Sequence, residues 1–140
     1  MRGYTLVEMT LVLLLLGLTT ASVAPGARRW RDRAAVLSAR EAVIGLLAQA
    51  RLAAVERGGA SVRLSADGDR AELVAGGVVL RAADLGAELG VDLQLGASVA
   101  AELRYDALGI GRMASRTLQF RRGDQAATLV VSSYGRARRQ

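Results

Sequence analysis

Lysine, histidine and cysteine are all missing from this 140-residue sequence, and each absence closes a class of chemistry. Without histidine or cysteine there can be no Ser-His-Asp or Cys-His triad and no zinc site built from those ligands. Without lysine there is no Schiff-base lysine and no P-loop, whose lysine must reach the phosphates. Carboxylate metal sites and paired-carboxylate chemistry are what remain open to an enzyme. No catalytic residue, cofactor or metal ligand is assigned in this sequence, and it is expected to be a non-enzyme on the resemblance described below. Lack of cysteine excludes a disulfide scaffold but fits either redox compartment. Aromatic residues make up only 4%, and Pro25 is the single proline.

Arginine supplies all 19 basic side chains against 13 acids, for a net charge of +6. The excess sits at the two ends. Residues 1–57 carry eight arginines and four acids, and residues 112–140 carry seven arginines and one acid. Between them, residues 58–111 carry four arginines and eight acids. A chain of this length fits one small domain plus at most an appended segment.

The appended segment is N-terminal. From Tyr4 to Ala24 only Glu8 is charged. A helix of that length spans roughly 31 Å, close to the ~30 Å hydrocarbon core of a bilayer. It can be a plain membrane anchor. It can also be a secretory signal peptide, with Leu11–Leu18 as its apolar region and Ser22-Val23-Ala24 as a small-residue cleavage site, although Pro25 after that bond disfavours it. A carboxylate inside such a helix costs about 2.5–3.5 kcal/mol at mid-membrane by insertion scales, less near the headgroups. Glu8 thus calls for a positive partner or an interfacial position. By the positive-inside rule, Arg28, Arg29, Arg31 and Arg33 after the span would hold the following domain in the cytoplasm.

A third reading takes Met1-Arg2-Gly3-Tyr4-Thr5-Leu6-Val7-Glu8 as a unit. It resembles the type IV prepilin signature: a short basic leader, glycine, an aromatic, Thr-Leu, any residue, then glutamate. Tyr4 stands where phenylalanine is usual. The resemblance implies cleavage by a prepilin peptidase between Gly3 and Tyr4, N-methylation of Tyr4, and an assembly role for Glu8 in neutralising the N-terminal amine of a neighbouring subunit. It also implies export of the head, against the charge rule. Such a pair is specific in apolar surroundings, where an unpaired charge is heavily penalised. Pro25, a proline where pilins often have one, is then the site of a helix kink between anchor and stalk.

Beyond Pro25-Gly26, helical spacing resumes. Val36, Val43, Leu47, Ala50 and Ala54 form one stripe, widened by Leu37 and Ile44, and Gly58-Gly59 stops the helix. The stripe predicts a surface docked on the next domain. From Ala60 the period changes to two, in about seven short strands separated by turns at Asp67-Gly68, Gly76-Gly77, Gly109 to Gly111 and Gly123-Asp124. The fold class expected is α+β: a long N-terminal helix, half membrane-spanning and half amphipathic, packed on an antiparallel sheet or small sandwich. The divisions are residues 1–3 as leader, 4–25 as transmembrane and assembly helix, 26–59 as amphipathic helix and 60–140 as a β-rich periplasmic head.

The segments Arg51 to Gly59, Leu103 to Gly109 and Leu129 to Arg138 resemble H-class pseudopilins of type II secretion and FimT-type minor pilins. That implies a single-pass protein of the bacterial inner membrane, its C-terminal head in the periplasm, near the tip of a pseudopilus. The implied partners are the prepilin peptidase, other minor and major pseudopilins, the inner membrane and secreted cargo. Gly135-Arg136-Ala137-Arg138 matches a Gly-Arg-x-Arg ending that binds DNA in FimT-type pilins, so Arg136, Arg138 and Arg139 are candidate DNA contacts, with Arg121 and Arg122 in the same basic group. Secretion pseudopilins share that ending, and Tyr134 is the one nearby aromatic able to stack a base.

Two weaker patterns are weighed against plain turns. Gly109-Ile110-Gly111-Arg112-Met113-Ala114 fits the loose dinucleotide fingerprint, but a strand rather than a helix is predicted after it. Asp67, Asp69 and Glu72 superficially resemble a calcium loop without its twelve-residue spacing.

Overall fold

The computed structural model describes residues 5–140, except that the side chains of residues 20–25 also lie outside the described residues. Gly3 and Tyr4 are therefore outside the description, and so is the side chain of Pro25. The architecture is α+β, with a long N-terminal helix followed by antiparallel sheets. The chain divides into two compact units, residues 1–31 and 32–140. Among the described residues, no helix is long and apolar enough to cross a membrane.

The helix α1 (Leu6–Arg57) starts at a local signal. The amide of Glu8 donates to the carbonyl of Thr5 at 3.0 Å and to its hydroxyl at 3.3 Å. Thr5-x-x-Glu8 is the spacing of a capping box, in which a threonine hydroxyl satisfies an otherwise orphaned helix amide. Gly58, at φ 77°, takes the left-handed conformation that ends the helix. The helix runs through Pro25 as one element.

In the first unit the described apolar side chains are exposed: Leu6 is 80% exposed and Leu14 71%. The hydroxyls of Thr10 and Thr19 donate back into the helix, to the carbonyls of Val7 at 2.8 Å and Leu16 at 2.9 Å. These two hydroxyls are thus satisfied within the helix itself.

In the second unit the helix is sunk into a core. Val36, Val43, Leu47, Ala50 and Ala54 are all buried, as their spacing predicts. The stripe widens on the other flank from the one expected. Ala35, Ala39, Leu46 and Ala53 are buried, whereas Leu37 is exposed and Ile44 half-buried. They join one buried cluster with residues of both sheets, including Val62, Leu73, Leu103, Leu118, Phe120 and Leu129.

The first sheet has the order β3-β2-β1-β5, from β1 (Gly59–Ser65), β2 (Arg70–Ala75), β3 (Val78–Asp84) and β5 (Ala100–Asp106). The second has the order β4-β6-β7-β8, from β4 (Asp92–Gln94), β6 (Arg116–Arg122), β7 (Gln125–Val131) and β8 (Ala137–Arg139). The neighbouring strands pair antiparallel. The period-two pattern decides the faces: on β7, Ala127, Leu129 and Val131 are buried while Ala126, Thr128 and Val130 point away.

A short helix, α2 (Leu85–Leu89), links β3 to β4. It is made by its caps: the Asp84 carboxylate accepts from the amide of Ala87 at 2.8 Å, and Gly90 closes it at φ 61°. Asp69 anchors this linker. It takes a left-handed φ of 45°, its carbonyl accepts from the amides of Leu85 and Gly86, and its carboxylate accepts from the amide of Leu93 at 2.7 Å.

Candidate functional site

The residues singled out by sequence fall at two places, the start of α1 and the C-terminal arginines. Glu8 sits in the first turn of α1, exposed, with its amide held by Thr5 as described above. An acid in the first turn also meets the positive end of the helix dipole.

The C-terminal segment is fixed by a close crossing of two loops. Gly111 donates its amide to the carbonyl of Tyr134 at 3.2 Å. A Cβ on Gly111 would stand 2.5 Å from the nitrogen of Gly135. Gly135 itself has a φ of 78°, and a Cβ there would stand 2.5 Å from Cε1 of Tyr105. Beneath the crossing, the Tyr105 hydroxyl donates to the Gly135 carbonyl at 3.3 Å. Arg51 of α1 donates to the same carbonyl, and its guanidinium lies 5.6 Å from the centroid of the Tyr105 ring. Burial pushes the Tyr105 phenol up from its ordinary pKa, and the Arg51 charge opposes that rise. The glycine of the Gly-Arg-x-Arg ending is thus a packing requirement.

The five arginines grouped by sequence are separated by the fold. Arg139 lies opposite buried Leu129, on the face toward α1, and grips Glu41 with two hydrogen bonds of 2.8 and 2.9 Å. That hydrogen bonding from Arg139, more than any other cause, lowers the Glu41 carboxyl pKa. Arg122 pairs with Asp32 at 2.9 Å and also donates to the carbonyl of Leu89. Arg138 lies opposite Val130, on the face turned away from the core. Arg121 shares that face, but register puts it roughly 15 Å or more from Arg138 by ordinary strand spacing. Arg136 lies before β8, with Arg51, Gly109, Ile110 and Tyr134, around a concavity of about 430 Å³.

The weaker patterns resolve as turns. The Gly109–Ala114 segment leads to β6 and not to a helix. Asp106 organises it, accepting from the amides of Leu108 and Ile110 at 3.0 Å each and pairing with Arg112 at 3.1 Å. The Ile110 amide is the main cause of the lowered Asp106 pKa. Asp69 is spent on Leu93 and Glu72 on Arg70. Among the described residues, no group of acids could hold a metal ion.

A larger concavity, about 660 Å³, lies over the outer face of the first sheet. Its carboxylates are neutralised, Glu72 by Arg70 at 3.1 Å and Glu102 by Arg104 at 2.7 Å. The Glu102 pKa is lowered chiefly by the Arg104 hydrogen bond, so this carboxylate is held ionised rather than tuned toward neutrality.

No protein-family model, no curated protein and no solved structure matches this chain.

Sequence reasoning missed Arg51, Tyr105 and Gly111. Arg51 lies on the polar side of the stripe, and nothing local marks its partner, 84 residues away. The fingerprint-like glycines gave a signal at Gly111, but its meaning is backbone approach.

Proposed function

We propose that the chain is a minor pseudopilin of a type II secretion system, a non-enzymatic structural subunit near the tip of a periplasmic pseudopilus. In this reading residues 1–3 are a leader, the peptidase cuts between Gly3 and Tyr4, and Tyr4 becomes the methylated N-terminus. The Leu6–Ala24 segment inserts in the bacterial inner membrane, and Glu8 pairs with the terminal amine of a neighbouring subunit. The amphipathic half of α1 joins the β-rich head in the periplasm. Other pseudopilins, and secreted cargo at the tip, are its partners.

One observation carries the reading: behind a prepilin-like opening, the start of α1 presents apolar side chains that its own chain leaves exposed. Exposed apolar surface of this extent marks an interface with lipid or protein. The inward-bonded hydroxyls of Thr10 and Thr19 fit the same setting. The span invoked runs into residues 20–25, whose side chains lie outside the described residues.

The direct test is Glu8→Val in producing cells. Membrane insertion is expected to persist while incorporation into sheared filaments is lost; undiminished incorporation would count against the pairing role.

A second reading, a FimT-type minor pilin taking up DNA, draws on the exposed Arg136 and Arg138. Arg139 is engaged by Glu41, and Arg138 stands on the outer face of the second sheet, which leaves a thin phosphate-binding surface. Retention of duplex DNA by the chain, compared with Arg136→Ala/Arg138→Ala, decides it. Binding at low salt that the double substitution abolishes would favour this second reading.

A further inference from the structure

The concavity bounded by Arg51, Gly109, Ile110, Tyr134 and Arg136 is a separate feature from the start of α1. Its rim is apolar and uncovered. Of its lining, Tyr134 is 73% exposed and Ile110 42%; Val55, whose Cγ2 lies 3.3 Å from where a Gly109 Cβ would stand, is 60% exposed beside it. Its charge is positive and uncompensated. No carboxylate pairs with Arg51 or Arg136 among the ion pairs of the described residues. The Arg51 guanidinium is held by the Gly135 carbonyl and lies near the Tyr105 ring, so it contributes a fixed positive charge beside the concavity. Asp106, at the start of the loop that carries Gly109 and Ile110, is consumed by the amides of that loop and by Arg112.

An exposed tyrosine and arginine beside aliphatic side chains is the composition of a protein-binding hot spot. The crossing of Gly111 over Gly135 ties together the two loops that supply Ile110, Tyr134 and Arg136, and a pre-ordered surface lowers the entropic cost of binding. We propose that this concavity docks a segment of another protein that sets a carboxylate next to an aliphatic side chain. The carboxylate faces Arg136 and Arg51; the aliphatic group lies against Tyr134, Ile110 and Val55.

Charge complementarity selects this occupant. A second copy docking through this same face in a two-fold dimer would bring the same two guanidiniums against themselves. Duplex DNA would need a track of cations at phosphate spacing, and here Arg138 faces elsewhere while Arg139 is tied to Glu41. The aliphatic rim, moreover, gives a phosphate backbone nothing to bury. The proposal is independent of N-terminal processing and stands or falls separately from the filament reading.

The full chain in phosphatidylcholine nanodiscs tests it by fluorescence anisotropy. The probes are a labelled Leu-Glu-Leu-Glu-Leu-Glu peptide, its Leu-Gln-Leu-Gln-Leu-Gln counterpart and a short DNA duplex. The Glu peptide should bind at least about tenfold more tightly than the Gln peptide. Arg136→Ala and Tyr134→Ala should each weaken it by about tenfold, as loss of a hot-spot side chain does. Both side chains are exposed, so the variants should keep the parental melting temperature. Arg63→Ala, which removes the same charge from the outer face of the first sheet, should leave binding unchanged. Equal binding of the two peptides overturns the proposal. So does a Glu-peptide affinity unmoved by Arg136→Ala, no binding of the Glu peptide, or binding of the duplex in its place.

Discussion

The two parts of α1 are both rich in apolar residues and opposite in fate. From Leu6 to Leu18 the helix is rich in leucine and valine, and those side chains are exposed. From Ala35 to Ala54 it leans on alanine with a few larger residues, and one flank is buried in the head. Burying a leucine is worth ~1.5–3 kcal/mol relative to leaving it in water. The C-terminal part collects that stabilisation from its own strands, while the N-terminal part holds the greater apolar area and leaves it uncollected. Under the proposed function, lipid and neighbouring subunits cover the apolar surface that the chain itself leaves exposed.

The sharpest way to break the comparison is to substitute one leucine in each part. Leu47→Ala should destabilise the head by about 2–5 kcal/mol, seen in its melting temperature. Leu14→Ala should shift that transition by less than about 0.5 kcal/mol and act on membrane partition instead. Equal effects on head melting would show that the two parts do not differ as described.

Next in size is the loop crossing. Gly135→Ala places a methyl 2.5 Å from the Tyr105 ring on a backbone of positive φ. It should cost about 1–3 kcal/mol, and Gly111→Ala a similar amount, by thermal unfolding. Asp69→Ala strips the acceptor from the Leu93 amide and should cost about 1–3 kcal/mol, while Asp69→Asn, which keeps an acceptor and tolerates the left-handed backbone, should cost less.

The smallest effect concerns Glu41 and Arg139. Glu41 is lowered from its ordinary pKa, chiefly by the Arg139 hydrogen bond. A lowered folded-state pKa stabilises above the unfolded value, and that contribution is lost as pH falls through the folded one. A carbon-detected NMR titration of Glu41 should show the low value, and Arg139→Gln should return it toward the ordinary carboxylate range. An unmoved titration would mean that Arg139 does not hold Glu41 in solution.

Much of the head was legible because two periodicities are hard to counterfeit. The alternation at Val62 and Leu64, at Leu118 and Phe120, and at Leu129 and Val131 each marks a strand whose odd or even positions are buried. What could not be read is which flank of an apolar arc the strands will cover. Leu37 and Ile44 look the larger prize, yet Leu46 with Ala39 and Ala53 is what lies beneath the sheets. Alanine and leucine both permit burial, and the choice is made by the partner strands. The α2 helix was too short for periodicity, although Asp84 and Gly90 are its cap pair. β8 is a three-residue edge strand whose arginines resemble a solvated tail until pairing with β7 separates Arg138 from Arg139. The basic cluster seen in sequence was an effect of chain proximity.

The central claim turns on the start of the mature protein. Mass spectrometry of the chain recovered from its producing cells measures it directly. A mature N-terminus at Tyr4 carrying one added methyl group is the predicted result. A chain that begins at Pro25, or that retains Met1 to Gly3, would contradict the account.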